Sequence, residues 1–499
     1  MIMMDFRRSQ RAVLAAGLAA GALSLAACSP PAGGSKDPGT VATRLGDLKL
    51  ENGYPTRETA DRLYDEMDFQ RASQAYIWAL PAVGFKALYD AQAKTLGARN
   101  GDVVLYQDLK DKAGMLTPNI TTLYAFSFWD LARDGPLVID VPAGATAGGV
   151  LDIWQQPVTD MGQTGPDKGA GGKYLILPPG GPALNPAGYR ALRSPTNQIW
   201  FGTRGLDPDK AAAEATVRKH RLYAWANRAK PGETRYIPVA GRPWTSAQPD
   251  NLDYWRLLSE LYANEPVAPR DRTMFGMLTP LGVEPGKPFN PDARQAKILT
   301  EAAKVGELMS RTVAFDKRYA GATVYPGKHW EYAVLFELDQ ETPNKDRVQF
   351  DQRGSWFYEA IGMSVGMQGR VLGFGQVYLE ASKDKSGAWL DGGKTYTIRV
   401  DPAPPVRQFW SITLYDNVTR GPLVTPQGAA DISSRKPDLV KNADGSVDVT
   451  FGPVRPEGAA NWIQTTPGKG WFAYFRFYGP TEPYFAKTWQ LNDFEQVTK

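Results

Sequence analysis

The chain has 499 residues, too many for one ordinary domain, and its 42% hydrophobic and 22% charged composition is that of a folded globular protein rather than a disordered one. Lys and Arg together number 57 against 53 Asp and Glu, a balance that excludes the basic footprint of a nucleic-acid binder. Fifty glycines and 39 prolines make it turn-rich without making it low-complexity.

The first element is a targeting segment. Arg7, Arg8 and Arg11 precede an apolar run from Ala12 to Ala27, which is too short and too rich in alanine to span a bilayer. The run ends in Leu25-Ala26-Ala27-Cys28, the pattern of a lipobox, and Cys28 is the single cysteine of the chain. The expectation is a lipoprotein: residues 1–27 are a signal peptide, Cys28 takes a diacylglycerol on its thiol, and its new amine takes a third acyl chain. Each buried methylene contributes about 0.8 kcal/mol, so three chains hold the protein firmly to a lipid bilayer. Ser29, where an Asp would favour retention in the inner membrane, points to the periplasmic face of the outer membrane in a cell envelope. The Arg7-Arg8 pair also admits twin-arginine export. With no second cysteine, disulfides, thiol catalysis and cysteine-held zinc are excluded. Residues 28–50 read as the acylated cysteine and a flexible tether.

From Arg57 to Leu96 apolar residues recur at helical spacing, and Pro81 is expected to break the region into two helices. Alternation at Leu137, Ile139 and Val141 predicts a strand. Gly149 to Val158 predicts a second, with Asp152, Trp154 and Gln156 on one face, and Tyr174 to Leu177 a third. The middle reads as helical: Pro208 to Ala229 led by Asp207 as cap, Leu252 to Tyr262, Asp292 to Arg311, and Ser355 to Ile361. Strands return at Tyr396–Val400, Phe409–Tyr415 and Val447–Phe451, the last after the turn Asn442-Ala443-Asp444-Gly445. In Trp471 to Tyr478, Trp471, Ala473, Phe475 and Phe477 share one face and Phe472, Tyr474, Arg476 and Tyr478 the other. The fold class is mainly β with a helical middle (α+β). It divides into an N-terminal domain over 51–205, a helical region over 206–369, and a C-terminal domain over 370–499, with two β-sandwich-like domains, the second jelly-roll-like.

Several motifs fail on inspection. Gly362-Met363-Ser364-Val365-Gly366 has the nucleophile-elbow spacing, but both histidines, His220 and His329, precede it and the stretch before it reads as helix. Those two histidines stand 109 residues apart with no HExxH pattern, so no metal site is read; His220 is expected on a solvated helix face. Gly169 to Lys173 lacks the spacing and the Ser/Thr of a phosphate loop. The glycines around Phe374 lack the third position of a dinucleotide fingerprint. Asn442, Asp444, Ser446 and Asp448 read as a hairpin turn rather than a calcium loop. No cofactor is called for.

What remains are polar residues on aromatic strands: Asp152, Trp154 and Asp160; Trp410, Tyr415 and Asp416; Asn461 and Trp462; Arg476 and Tyr478. An inward Arg476 needs a carboxylate, with Asp416 the expected partner. Such groups either specify a buried core or converge on a ligand pocket.

Met115-Leu116-Thr117-Pro118-Asn119, Thr122-Leu123-Tyr124, Gly135-Pro136-Leu137-Val138 and Lys173-Tyr174-Leu175 resemble the signature of domain of unknown function 1254. Pro404-Pro405, Phe409-Trp410-Ser411, Leu414-Tyr415-Asp416, Asn461-Trp462 and Tyr478-Gly479-Pro480 resemble domain of unknown function 1214. The resemblance implies two sandwich-like domains in an envelope or secreted protein. It assigns no reaction, and it adds Asn119 and Tyr124 to the candidate positions. Two functions are weighed. One is a lipid-anchored protein binding a small polar ligand or an envelope partner, with a homo-oligomer allowed. The other is a metal-independent periplasmic lyase or hydrolase using carboxylate, Tyr and Arg chemistry on a small polar substrate.

Overall fold

The computed structural model describes residues 39–497, so Cys28 and the signal segment lie outside the described residues. The chain divides between Tyr64 and Asp65 into two compact units. In the first, β1 (Thr40–Thr43), β2 (Gly46–Glu51) and β3 (Tyr54–Pro55) form an antiparallel meander, which occupies the end of the stretch read as a tether. The division falls within α1 (Arg57–Asp90).

Pro81 lies inside α1 and does not end it. A proline there removes one ladder hydrogen bond and crowds the preceding turn. Side chains from elsewhere donate to carbonyls around the proline: the Tyr254 hydroxyl to Tyr76 (2.5 Å), an Arg353 guanidinium N–H to Trp78, and the Gln155 amide to Pro81 (2.7 Å). The carbonyl that Pro81 leaves without its ladder donor is that of Ile77, so these bonds anchor the helix on either side of the proline rather than replace the missing one, and the expected break is absent.

The N-terminal β region contains β4 (Val103–Tyr106), β5 (Leu123–Asp130), the short α2 (Leu131–Asp134), β6 (Leu137–Val141), β7 (Thr146–Leu151), β8 (Pro157–Gly162), β9 (Gly172–Leu177), β10 (Tyr189–Arg193), β11 (Gln198–Gly205), α3 (Lys210–Val217), β12 (Arg221–Ala224) and β13 (Tyr236–Pro238). Two sheets, β13-β4-β5-β11-β7-β8 and β10-β9-β6-β12, share one core in which Leu105, Ala125 and Phe201 meet Ile139, Ile176 and Leu222. This is a sandwich.

The helix expected over Pro208–Ala229 ends at Val217, and its cap is Asp209, whose side chain accepts the Ala212 N–H. Leu222 and Tyr223 are required by two different cores, so consecutive side chains must point opposite ways, which a strand provides and a helix does not. His220, expected in solvent, is buried between α3 and β12, with Nδ1 on the Val217 carbonyl at 2.9 Å. Burial pushes its pKa down to about 4. The strand expected over Gly149–Val158 is interrupted as well. Asp152 Oδ1 accepts the N–H groups of Trp154 and Gln156, and Gln155 turns the chain at φ +58°.

Helices α4 (Leu252–Leu261), α5 (Arg272–Leu278) and α6 (Ala293–Phe315) lead to β14 (Glu331–Tyr332) and α7 (Phe350–Glu359). Asp292 and Gln295 close a capping box on α6. The C-terminal region continues with β15 (Gln376–Ala381), β16 (Tyr396–Val400), β17 (Val406–Asp416), β18 (Asp431–Ser433), β19 (Val447–Gly452), β20 (Asn461–Gln464), β21 (Trp471–Pro480), α8 (Glu482–Phe485) and β22 (Glu495–Gln496). Its sheets β14-β15-β21-β17-β18 and β20-β19-β16-β22 enclose a second core, where Leu379, Ile412 and Phe475 meet Ile398, Val449 and Phe451. The helices join both β regions: Trp78, Trp255, Leu299 and Phe357 belong to one cluster with Phe126 and Trp200 of the first sandwich and Tyr378 and Tyr474 of the second. Among the described residues no helix is long and apolar enough to cross a membrane.

Candidate functional site

A cavity of about 410 Å³ lies between the six-stranded sheet and the five-stranded sheet. Its first wall follows from strand register. Phe126 (β5), Gly202 (β11), Gly149 (β7) and Asp160 (β8) stand in one row, and Tyr124, Arg204 and Ala147 stand in the next row on the same face. Where a sheet face normally carries bulky residues, this one carries Gly149, Gly202 and Ala147, so its centre is low and the aromatic rings of Phe126 and Trp200 rim it. The second wall is the polar face of β21. Arg476 stands between Tyr378 of β15 and Ser411 of β17, and Tyr478 between Gln376 and Phe409. The loop from Ala360 to Met367 closes a side. Gly362 holds φ +74° there and lies so near Trp200 that a Cβ would sit 3.1 Å from the indole ring. Thus the glycines of the Gly-x-Ser-x-Gly stretch serve tight packing, Gly362 against that ring and Gly366 against Thr164.

The loop Met115–Asn119 locks the two walls together. Arg476 donates to the Thr117 carbonyl (2.8 Å) and to Thr413 Oγ1 (3.2 Å), Tyr415 donates to the Pro118 carbonyl (2.7 Å), and the Asn119 amide donates to the Tyr478 hydroxyl. Three guanidinium groups reach the cavity, each over an aromatic ring: Arg204 over Tyr124 at 4.9 Å, Arg435 over Phe409 at 4.0 Å, and Arg476 over Tyr474 at 5.1 Å. Phe409 is itself stacked on Tyr478 at 3.8 Å.

Several buried polar atoms on the lining have no hydrogen-bond partner: both Asp160 carboxyl oxygens, Trp200 Nε1, Gln376 Oε1, Thr122 Oγ1 and Arg476 Nε. Leaving such atoms unpaired costs about 1–3 kcal/mol each, so their concentration on one cavity needs an explanation. Burial pushes the Asp160 carboxyl up to about 7, although the nearby N–H groups of Gly366 and Val365, which close no hydrogen bond to it, pull the other way.

Behind the second wall, Lys317 is buried with Glu359 and Glu380, beside the half-buried Glu331. It lies 3.4 Å from Glu359 and 3.4 Å from Glu331 and is hydrogen-bonded to Glu380. The Tyr474 hydroxyl donates to Glu359, whose carboxyl burial pushes up to about 8. No cluster of His, Cys, Asp and Glu among the described residues could hold a metal ion.

Of the residues singled out from sequence, Tyr124, Asp160, Arg476 and Tyr478 line the cavity, and Asn119 and Tyr415 fasten its second wall. The others lie elsewhere. Asp152 makes the turn described above. Trp154 packs on Trp78 in the helical core (5.1 Å). Trp410 points to the opposite face of β17 and stacks on Phe475 (5.5 Å). Asn461 ties β20 to the Val440 and Asp448 carbonyls (2.8 and 2.9 Å), and the Trp462 indole donates to Gly452. Asp416 does not meet Arg476: it caps Val418 and Thr419 and pairs with Lys469 at 3.1 Å. Arg476 is held by backbone, hydroxyl and aromatic faces instead. Sequence reasoning missed Arg204, because β11 went unread although Trp200, Gly202 and Arg204 alternate on one face. It also missed Arg435, which a loop supplies.

The family model described as Protein of unknown function (DUF1254) matches residues 102–224, and that described as Protein of unknown function (DUF1214) matches residues 375–482. The chain is similar in fold to the VPA0106 protein from Vibrio parahaemolyticus, at 16% identity and a TM-score of 0.54, with 86% of this chain and 100% of that one covered. A putative uncharacterized protein from Burkholderia cenocepacia aligns at 13% identity and a TM-score of 0.39 over 88% of this chain and 97% of that one. No curated protein matches the chain.

Proposed function

Starting from a chain that carries a DUF1254 region followed by a DUF1214 region, we propose that it is a lipid-anchored binding protein of the cell envelope whose cavity between the two β regions takes a small ligand. One observation carries this reading: unpartnered buried polar atoms of Asp160 and Trp200 on one sheet and of Gln376 and Arg476 on the other converge on a single apolar-walled cavity. An apolar pocket with a few convergent polar groups is the ordinary build of a ligand site. The lipobox at Leu25–Cys28 supports the anchor, and Ser29 supports the outer membrane's periplasmic face.

The test is thermal unfolding of the soluble chain from Ser29 onward against a panel of small metabolites and oligosaccharides. A ligand at a hundred times its dissociation constant is expected to stabilise by about 2.7 kcal/mol, a shift of a few degrees. The shift is expected to disappear in Gln376→Leu, which removes a cavity acceptor while keeping the side-chain volume. A panel without a single hit would overturn the reading.

A second reading is favoured by Asp160, a buried cavity carboxyl with a pKa near neutrality, which suits a general acid or base. On that reading the protein is a metal-independent lyase or hydrolase, and a bound compound would be consumed by the wild-type chain but not by Asp160→Asn.

A further inference from the structure

An arginine on a protein surface is solvated by water, whereas a buried one is nearly always paired. Arg204, Arg435 and Arg476 reach one cavity from a strand of the first sandwich, a loop of the second and a strand of the second. Among the described residues none of the three has a carboxylate within ion-pair distance, and no protein carbonyl or carboxylate accepts from the Arg204 or Arg435 guanidinium. Arg476 donates to the Thr117 carbonyl and Thr413 Oγ1 and keeps Nε unpartnered; beyond those bonds the compensation is aromatic, from the faces of Tyr124, Phe409, Tyr378, Tyr415 and Tyr474. A ring face steadies the flat side of a guanidinium and leaves its edge, where the N–H donors lie, for another partner. Asp160 is the one carboxyl on the lining, and it makes no pair with them. Asp431 accepts from Thr121 at 3.3 Å in the next layer out, beside Lys112, and is not on the lining.

The remainder of the lining is apolar. Leu151, Trp200, Trp356, Met363 and Phe374 surround the low floor of Gly149 and Gly202. A fully hydrophilic ligand such as a free sugar would leave that wall unused. A ligand with a charged head and an apolar body would match both parts.

Resting on the ligand-binding reading above, we propose that the cavity selects an amphipathic organic anion, its oxyanion head read by Arg204, Arg435 and Arg476 and its apolar body lying against Trp200 and Trp356. Guanidinium donors match a carboxylate's geometry, and a charge-assisted hydrogen bond is roughly twice as strong as a neutral one, so the head group rather than the body sets the preference.

The experiment uses matched pairs: phenylacetate, 4-hydroxybenzoate and hexanoate, each against its primary amide, titrated calorimetrically into the soluble chain from Ser29 onward. Each amide keeps the shape and removes the charge. The acids are expected to bind at least tenfold more tightly than the amides, and the gap is expected to narrow at least fivefold in Arg435→Gln and in Arg204→Gln. Arg435 stands on a half-buried loop, so its variant keeps the test open if the strand variant fails to fold. Amides that bind as well as acids would overturn the anion proposal while leaving a ligand-binding cavity in place. A tenfold gap that both folded variants keep unchanged would overturn it too, since the arginines would then not be the readers. Absence of binding by acids and amides alike, at millimolar concentration, would overturn the cavity reading together with the proposal.

Discussion

Asp160 gives the stability of the protein a pH dependence of definite sign. Its folded-state pKa, about 7, lies above the ordinary value of 3.8 because burial disfavours the charge. A group raised in this way contributes stability that is complete below about pH 4 and lost as the pH rises through about 7. The difference between those pKa values corresponds to on the order of 4 kcal/mol at high pH. Asp160→Asn cannot ionise, so its melting temperature is expected to fall less than that of the wild type between pH 5 and pH 8, with the two converging at low pH. Parallel profiles would show that folding does not raise the Asp160 pKa. A ligand anion bound on the arginines would sit in the same cavity as this carboxyl, and keeping Asp160 protonated avoids placing a second negative charge beside it.

At the scale of single elements, two helical glycines make opposite demands. Gly276 in α5 has nothing within 4 Å of where a Cβ would go, so Gly276→Ala is expected to stabilise by about 0.5–1 kcal/mol through helix propensity. A Cβ on Gly306 of α6 would lie 2.5 Å from Tyr76 Cβ on α1, so Gly306→Ala must push the helices apart and is expected to cost about 1–3 kcal/mol. Urea unfolding of both variants checks the pair, and equal signs would refute the close approach. The strand over 471–480 was legible from its alternation alone, because both of its faces are buried in different surroundings: Trp471, Ala473, Phe475 and Phe477 enter the second core, and Arg476 and Tyr478 face the cavity. Pro81 misled because the groups that anchor the helix around it come from remote elements, and the segment around Arg221 misled because its lysine- and arginine-rich flank reads as helix while two cores pull Leu222 and Tyr223 apart. The site was legible only in part for a related reason. Asp160 and Arg476 were visible as polar residues on aromatic strands, but that they face each other across a cavity while Asp152 and Asp416 do not depends on sheet packing between segments some 300 residues apart.

For the whole molecule, the helical layer matters most. Because α1, α4, α6 and α7 share one core with both sandwiches, the walls of the cavity are fixed to a common support, and the ligand proposed above would meet a preformed site. The acyl anchor proposed at Cys28 would act on the molecule as a whole as well. Cys28→Ala is expected to move the protein from the membrane fraction to the soluble fraction and to abolish incorporation of labelled palmitate. Membrane retention without label would show attachment by another route.

The carbonyl of Trp78, within the proline turn of α1, accepts from Arg353, a residue 275 positions later in the chain. At a synthesis rate of about 5–20 residues per second, its donor follows by roughly 15–55 s. For that interval the middle of the first long helix lacks one of its tertiary hydrogen-bond donors, and the core that α1 shares with α7 is incomplete. The delay opposes early folding at the N-terminal end, where a nascent chain would otherwise begin to compact. On the export reading proposed above, a chain whose first long helix gains this partner only once residue 353 has been made would reach a membrane pore with that helix still incompletely packed.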